Sequence, residues 1–100
     1  MISLKREEKR QYSFAEALVD VRFRIPTAVE AEEILDPKNL PKDSEVFKQY
    51  VVEIKSPDVE GWENGIDAAE VVDLPGTFSL VHVVAFDIVG TIRIDATQKK

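Results

Sequence analysis

Residues 77–90, TFSLVHVVAFDIVG, decide how this chain is read. Leu80, Val81, Val84, Ala85 and Ile88 recur at i, i+1, i+4, i+5 and i+8, which is one face of a helix. A rival period runs through the same residues. Phe78, Leu80, Val84, Phe86 and Ile88 also fit the two-residue alternation of a strand, and the run is rich in β-branched side chains. Three features favour the helix. Thr77 can cap its start, the run has helical length, and Gly90 suits the position just past a helix end. The fold class is then α+β: a small antiparallel sheet packed by about three helices, in a single domain.

Moving towards the N-terminus, Asp67 and Glu70 stand at capping-box spacing ahead of Val71, Val72 and Leu74, and Pro75-Gly76 ends that second helix. Ser56-Pro57-Asp58 marks a turn. Residues 49–55 read as a strand with Tyr50, Val52 and Ile54 on one face and Val51 on the other, and a helical start near Glu45 is the alternative for its first residues. The stretch from Asp36 to Ser44, with two prolines and Asn39, reads as a loop. Thr27 and Glu30 form a second capping-box pair, followed by a short stripe of Ala31, Ile34 and Leu35 that Asp36-Pro37 stops. Before it, Val19, Val21, Phe23 and Ile25 alternate with Asp20, Arg22 and Arg24, the signature of a half-buried strand. That strand is expected to run antiparallel to 49–55. Residues 5–10, KREEKR, are too polar for a core, so residues 1–12 read as a flexible arm or an edge strand. Residues 95–100 read as a disordered tail.

The whole chain has 100 residues and a formal charge of −6. Phosphate would repel it, so nucleic acid is not an expected partner. The charge is uneven: residues 25–76 hold 13 acidic and four basic side chains, while both flanks are slightly basic. An acidic middle can keep a small domain soluble or meet a basic partner. There is no cysteine, which excludes disulfides, Cys-based zinc sites and thiol catalysis. No apolar run approaches the roughly 18 residues of a membrane span, and MISLKREEKR lacks the apolar segment of a secretory signal. These features predict a cytoplasmic protein with no membrane partner.

Few residues are arranged for chemistry. His82 is the only histidine, it sits in an apolar run, and no nucleophile-elbow sequence accompanies it. Asp58, Glu60, Glu63 and Asp67 are close in sequence but lack the order of a calcium-binding loop. No metal and no cofactor is expected. The sharpest enzymatic pattern is Val51–Lys55, VVEIK, which resembles the core of the PD-(D/E)xK nucleases. Glu53 and Lys55 share a strand face. On that reading Glu53 and Asp43 hold a divalent cation, and Lys55 steadies the attacking water or the scissile phosphate. Asp43 lies in a proline-containing loop, however, and Pro57-Asp58 follows the Glu-x-Lys where the pattern needs it to precede. The competing reading makes Glu53 and Lys55 the solvent-facing residues of a half-buried strand.

The run from Gly61 to Val89, GWENGIDAAEVVDLPGTFSLVHVVAFDIV, is the most distinctive part of the chain. With FKQYVVEIKSPDVE before it, it resembles the tail assembly chaperones of long-tailed bacteriophages and prophages. The likeness spans Phe47–Val89. It rests on a strand ending in a polar turn, the turn at Gly61-Trp62, a short acidic helix at Ala68–Asp73, and Leu74-Pro75-Gly76 leading into an apolar helix. The resemblance implies a small non-enzymatic protein of the bacterial cytoplasm. Such a protein coats the tape measure protein before the tail-tube subunits polymerise around it. Tape measure protein is the implied partner, with the tail-tube subunit and further copies of the chain as additional ones. A partner surface is expected from Trp62, Val71, Val72, Leu74 and Phe78, which could equally be core; Trp62 itself is expected to be partly buried. In many such phages a ribosomal frameshift adds a second domain. Lysine codons such as those of Lys99-Lys100 suit a slippery site, although the pair also reads as a solvated tail.

Overall fold

In the computed structural model, which describes residues 4–94, the alternating run becomes the central strand of a three-stranded antiparallel sheet. The strands are β1 (Glu7–Phe14), β2 (Ala17–Arg24) and β3 (Val51–Lys55), in spatial order β1-β2-β3. The helices are α1 (Ala28–Ile34), α2 (Asp43–Tyr50), α3 (Ala68–Val72) and α4 (Phe78–Ile94). The architecture is the small α+β single domain expected. The readings of residues 1–3 and 95–100, including the Lys99-Lys100 pair, lie outside the described residues.

Along β2, Ala17, Val19, Val21 and Phe23 face the core. Leu18 and Asp20 face solvent, and Arg22 and Arg24 are half-buried. Period-two burial gives the sheet one face under helices and one outer face. On that outer face Arg22 bridges to Glu7 at 2.8 Å and reaches Glu53 at 3.8 Å, while Gln11 donates to Asp20 at 3.0 Å. The polar N-terminal segment is the edge strand. β1 turns Glu8 and Arg10 towards the covered side, opposite Phe23 and Val21. Inward-pointing charges of this kind discourage pairing of an exposed edge with another chain. Arg10 binds Glu8, spans 3.2 Å to Asp87 of α4, and lies over the Phe23 ring at 5.8 Å. Tyr12 donates its hydroxyl to the same Asp87 at 2.7 Å. Burial, then that bond, pushes the Tyr12 phenol well above its ordinary value.

β1 and β2 are joined by two residues, Ala15 and Glu16, both at positive φ (49° and 67°). This is the left-handed pair that matches a two-residue hairpin to the strand twist. Neither residue is glycine or asparagine, so the hairpin carries no sequence signal.

The capping box at Thr27 and Glu30 forms as expected. Glu30 N–H donates to Thr27 Oγ1 at 3.2 Å, and Thr27 N–H donates to Glu30 Oε1 at 2.9 Å. Arg24 grips the same carboxylate with both terminal guanidinium nitrogens, at 2.7 and 2.8 Å, and lies over the Tyr50 ring at 4.7 Å. One arginine thus ties β2, α1 and α2 together. Its hydrogen bonds, with that from Thr27, hold the Glu30 carboxyl down to about 2.

Several expectations need correction. Residues 43–50 are helical, which bears out the alternative of a helical start near Glu45; the loop ends at Lys42 and the strand begins only at Val51. Tyr50 is therefore a buried helix residue, and Val52 and Ile54 do not share a face. β2 pairs Arg22 with Glu53 but Phe23 with Val51, so Val52 is an unpaired bulge residue. It is 49% exposed, while Ile54 is fully buried. Asp67 precedes α3 without capping it through its side chain. Thr77 donates its hydroxyl backwards, to the Val71 and Leu74 carbonyls at 2.8 and 3.0 Å. Gly90 does not end α4, which continues to Ile94 because Thr91 and Ile92 extend the inward face.

The deciding stretch is helical. Leu80, Val81, Val84, Ala85 and Ile88 are all buried, whereas Phe78 and Phe86, members of the strand pattern, are 77% and 69% exposed. The five inward residues meet Phe47 and Tyr50 of α2 and Val19, Val21 and Phe23 of β2 in one hydrophobic cluster.

A candidate docking cleft

Trp62 and Val71 lie at the centre of the path from β3 to α4, and both belong to the core. Trp62 is 4% exposed and Val71 fully buried, so neither offers a partner surface. The reason is local. The loop after β3 folds back on itself: Ser56 N–H donates to the Trp62 carbonyl at 3.0 Å, and Ile66 N–H donates to the Ile54 carbonyl at 3.0 Å. Ser56 Oγ donates to the Leu18 carbonyl at 2.7 Å, and Leu18 N–H donates to Asp58 at 3.1 Å. The loop is thus clamped to the end of the β1-β2 hairpin. Trp62 is laid parallel to the Phe14 ring, with centroids 6.4 Å apart.

Val72, Leu74 and Phe78 fare differently. They line one wall of a cleft of about 530 Å³, together with Gly76, Thr77 and Val81. Pro41, Lys42, Asp43 and Ser44, at the start of α2, form the other wall. The turn between α3 and α4 sets this geometry. Pro75 fixes its own φ, and Gly76 takes φ +82°, a conformation costly for any residue with a Cβ. The chain reverses there, leaving Leu74 (41% exposed) and Phe78 (77%) at the mouth. The cleft has a polar edge. His82 Nδ1 lies 2.6 Å from Asp43 Oδ2, bridging α4 to α2, and the Phe78 ring stacks on the imidazole at 5.9 Å. The inner surface is apolar. Such a groove can take an aliphatic or aromatic side chain from a partner while the rim stays wet.

The acidic candidates are occupied elsewhere. Asp43 lines this cleft and holds His82. Glu53 and Lys55 border a separate cavity of about 240 Å³ on the outer face of the sheet. Their own side chains lie 3.4 Å apart there, both partly exposed. The nuclease triad Asp43, Glu53 and Lys55 is thus divided between two surfaces. Of the four acidic residues at 58–67, Asp58 caps the Leu18 N–H and Glu63 accepts from Gly61 N–H at 2.8 Å. Among the described residues, no three His, Asp or Glu side chains gather as a metal site would need. No helix among them is long and apolar enough to cross a membrane.

Part of the cleft was not anticipated: the wall from Pro41 to Ser44 and the His82–Asp43 bridge. A signal existed in Lys42-x-x-Glu45, where the Glu45 carboxylate accepts from the Lys42 N–H at 3.2 Å and starts α2. Comparison with protein-family models, curated proteins and solved structures finds no match to this chain.

Proposed function

We propose that this chain is a non-enzymatic tail assembly chaperone of a long-tailed bacteriophage or prophage, acting in the host cytoplasm without a cofactor. It binds the tape measure protein and so assists assembly of the tail tube. The resemblance over Phe47–Val89 suggests the partner. The observation that carries the reading is the apolar cleft with Leu74 and Phe78 at its mouth. A long helical chain awaiting its tube exposes apolar stripes and aggregates unless covered. A small acidic domain with a shallow apolar groove covers one such stripe weakly. Many copies along the same chain then hold it by avidity and leave easily when tube subunits arrive.

Co-expression tests this. A tape measure protein co-expressed with this chain should remain soluble in its presence and aggregate in its absence. Leu74→Asp and Phe78→Asp place charge at the mouth of the groove and should lower capture about tenfold or more. Thermal unfolding should be nearly unchanged, because both positions are exposed. Equal solubilisation by wild type and both variants would refute the cleft as the binding surface.

A further inference from the structure

β1 is an open edge of the sheet, paired with β2 on one side only. Ile25 N–H donates to the Arg6 carbonyl at 2.9 Å, one step beyond the pair Glu7 and Arg24. Bonded and unbonded positions alternate along an antiparallel ladder. Glu8, Arg10, Tyr12 and Phe14 therefore turn their N–H and C=O groups to β2, while Glu7, Lys9, Gln11 and Ser13 turn theirs outward. The inward charges of Glu8 and Arg10 guard only the first half of this edge. Beyond them the inward side chains are the rings of Tyr12 and Phe14, packed against the core. Beside those rings lies a hollow of about 80 Å³, lined by Tyr12, Ser13, Phe14, Ser79, Leu80 and Val83. Ser13 directs its side chain to the other face of the sheet, opposite Leu18, so it reaches the hollow through its backbone. The hollow thus lies between the open edge and the flank of α4, where Val83 is 44% exposed.

We infer that the second half of β1 takes a short extended segment of another protein as a fourth strand, antiparallel to β1, with an apolar side chain in the hollow and, three residues later, a carboxylate on Lys9. Strand addition draws affinity from unpaired backbone groups and specificity from sockets for alternate side chains, and this edge offers both. The pleat fixes the register. Residues directly opposite each other on an antiparallel pair put their side chains on the same face. The added residue opposite Tyr12 therefore points into the hollow. The next one, opposite Gln11, points away and exchanges both backbone bonds with Gln11. The residue opposite Lys9 follows three places after the one in the hollow, on the solvent face.

Charge selects an acid at that last place. Across the ladder Lys9 stands opposite Arg22, a like charge. The carboxylates on either side of it in the register are engaged: Glu7 holds Arg22, and Glu8 holds Lys5 and Arg10. A carboxylate on the added strand offsets the repulsion between Lys9 and Arg22. The net charge of −6 opposes this little, because residues 25–76 carry the excess of acid, whereas residues 5–10 hold four basic side chains and two acidic ones. Exposed charges farther than about 8 Å are screened at physiological salt. The hollow shares no lining residue with the cleft at Leu74 and Phe78, so this surface stands whatever the cleft binds.

A blocked hexapeptide, Thr-Val-Thr-Thr-Glu-Thr, places valine opposite Tyr12 and glutamate opposite Lys9. Titrated into the isotope-labelled full chain, it should shift the signals of Gln11, Ser13 and Val83. At saturation the Gln11 and Ser13 amide protons should exchange with solvent severalfold more slowly, because ladder bonds then hold them. Proline as the third peptide residue removes the N–H offered to the Gln11 carbonyl and should weaken binding about tenfold, with the protein unaltered. Val83→Glu puts a charge at the hollow and should weaken binding about tenfold. Lys9→Glu should weaken it about threefold or more and turn the preference towards the peptide with lysine in place of glutamate. Thermal unfolding shows that each variant is folded, and the proline peptide decides where one is not. No binding at about 5 mM peptide, binding without protection of the Gln11 and Ser13 amides, shifts centred on Leu74 and Phe78, or equal binding of the glutamate and lysine peptides by wild type would each overturn the inference.

Discussion

Glu30 illustrates how much one side chain can join. It caps α1, binds both arms of Arg24, and through Arg24 reaches the Tyr50 ring. Its carboxyl is held down to about 2 in the folded state, from an ordinary value of 4.5. The stability it supplies is therefore complete above about pH 4.5 and lost as pH falls towards 2. Screening at a partly exposed site limits that contribution to about 1 kcal/mol. Glu30→Gln should be less stable than wild type by that amount in thermal unfolding at pH 7, and the difference should vanish near pH 2. A difference that stayed constant down to pH 2 would contradict a contribution from the carboxylate charge, since glutamine can keep the capping box. Trp62 belongs to the same scale. Truncation to alanine empties a buried site beside Phe14 and should cost about 3–5 kcal/mol in denaturant unfolding. An exposed docking tryptophan would cost far less.

The elements differ in how openly their residues announce them. β2 was legible because its buried and exposed positions alternate without exception from Ala17 to Asp20, and α1 because Thr27 and Glu30 meet as a capping pair. α4 was legible on its inward face, whose five apolar positions all proved buried. The hairpin was not, because Ala15 and Glu16 adopt positive φ without the residues that favour it. The hairpin is held by strand pairing and by the Trp62 loop clamped to its end, in place of turn propensity. That implies a stabilising change: Ala15→Asn with Glu16→Gly should raise stability by about 1 kcal/mol, measured by denaturant midpoint. Loss of stability would mean that these side chains contribute contacts outweighing their strain. β3 was half legible. Apolar alternation from Tyr50 to Ile54 suggested one continuous strand, but α2 runs directly into it and the bulge at Val52 reverses the parity. A helix-to-strand junction without glycine or proline leaves no mark in the sequence.

For the whole molecule, the candidate surface was partly readable. Apolar residues after Trp62 were all plausible contacts, and only tertiary structure divides them: Trp62 and Val71 inward, Val72, Leu74 and Phe78 onto the cleft. Pro75-Gly76, visible as a breaker, is what presents the last two. The opposite wall comes from a segment some thirty residues earlier, and no local pattern could pair it with α4. The acidic character of residues 25–76 and the apolar groove together suit a partner helix with an apolar stripe and basic flanks. The most direct test is a titration of the isotope-labelled chain with a helical segment of tape measure protein, followed by nuclear magnetic resonance. Signals of Val72, Leu74, Phe78 and Val81 should shift first and furthest, with those of Glu53 and Lys55 still. Shifts centred on Glu53 and Lys55, or none at saturating peptide, would contradict binding at the cleft.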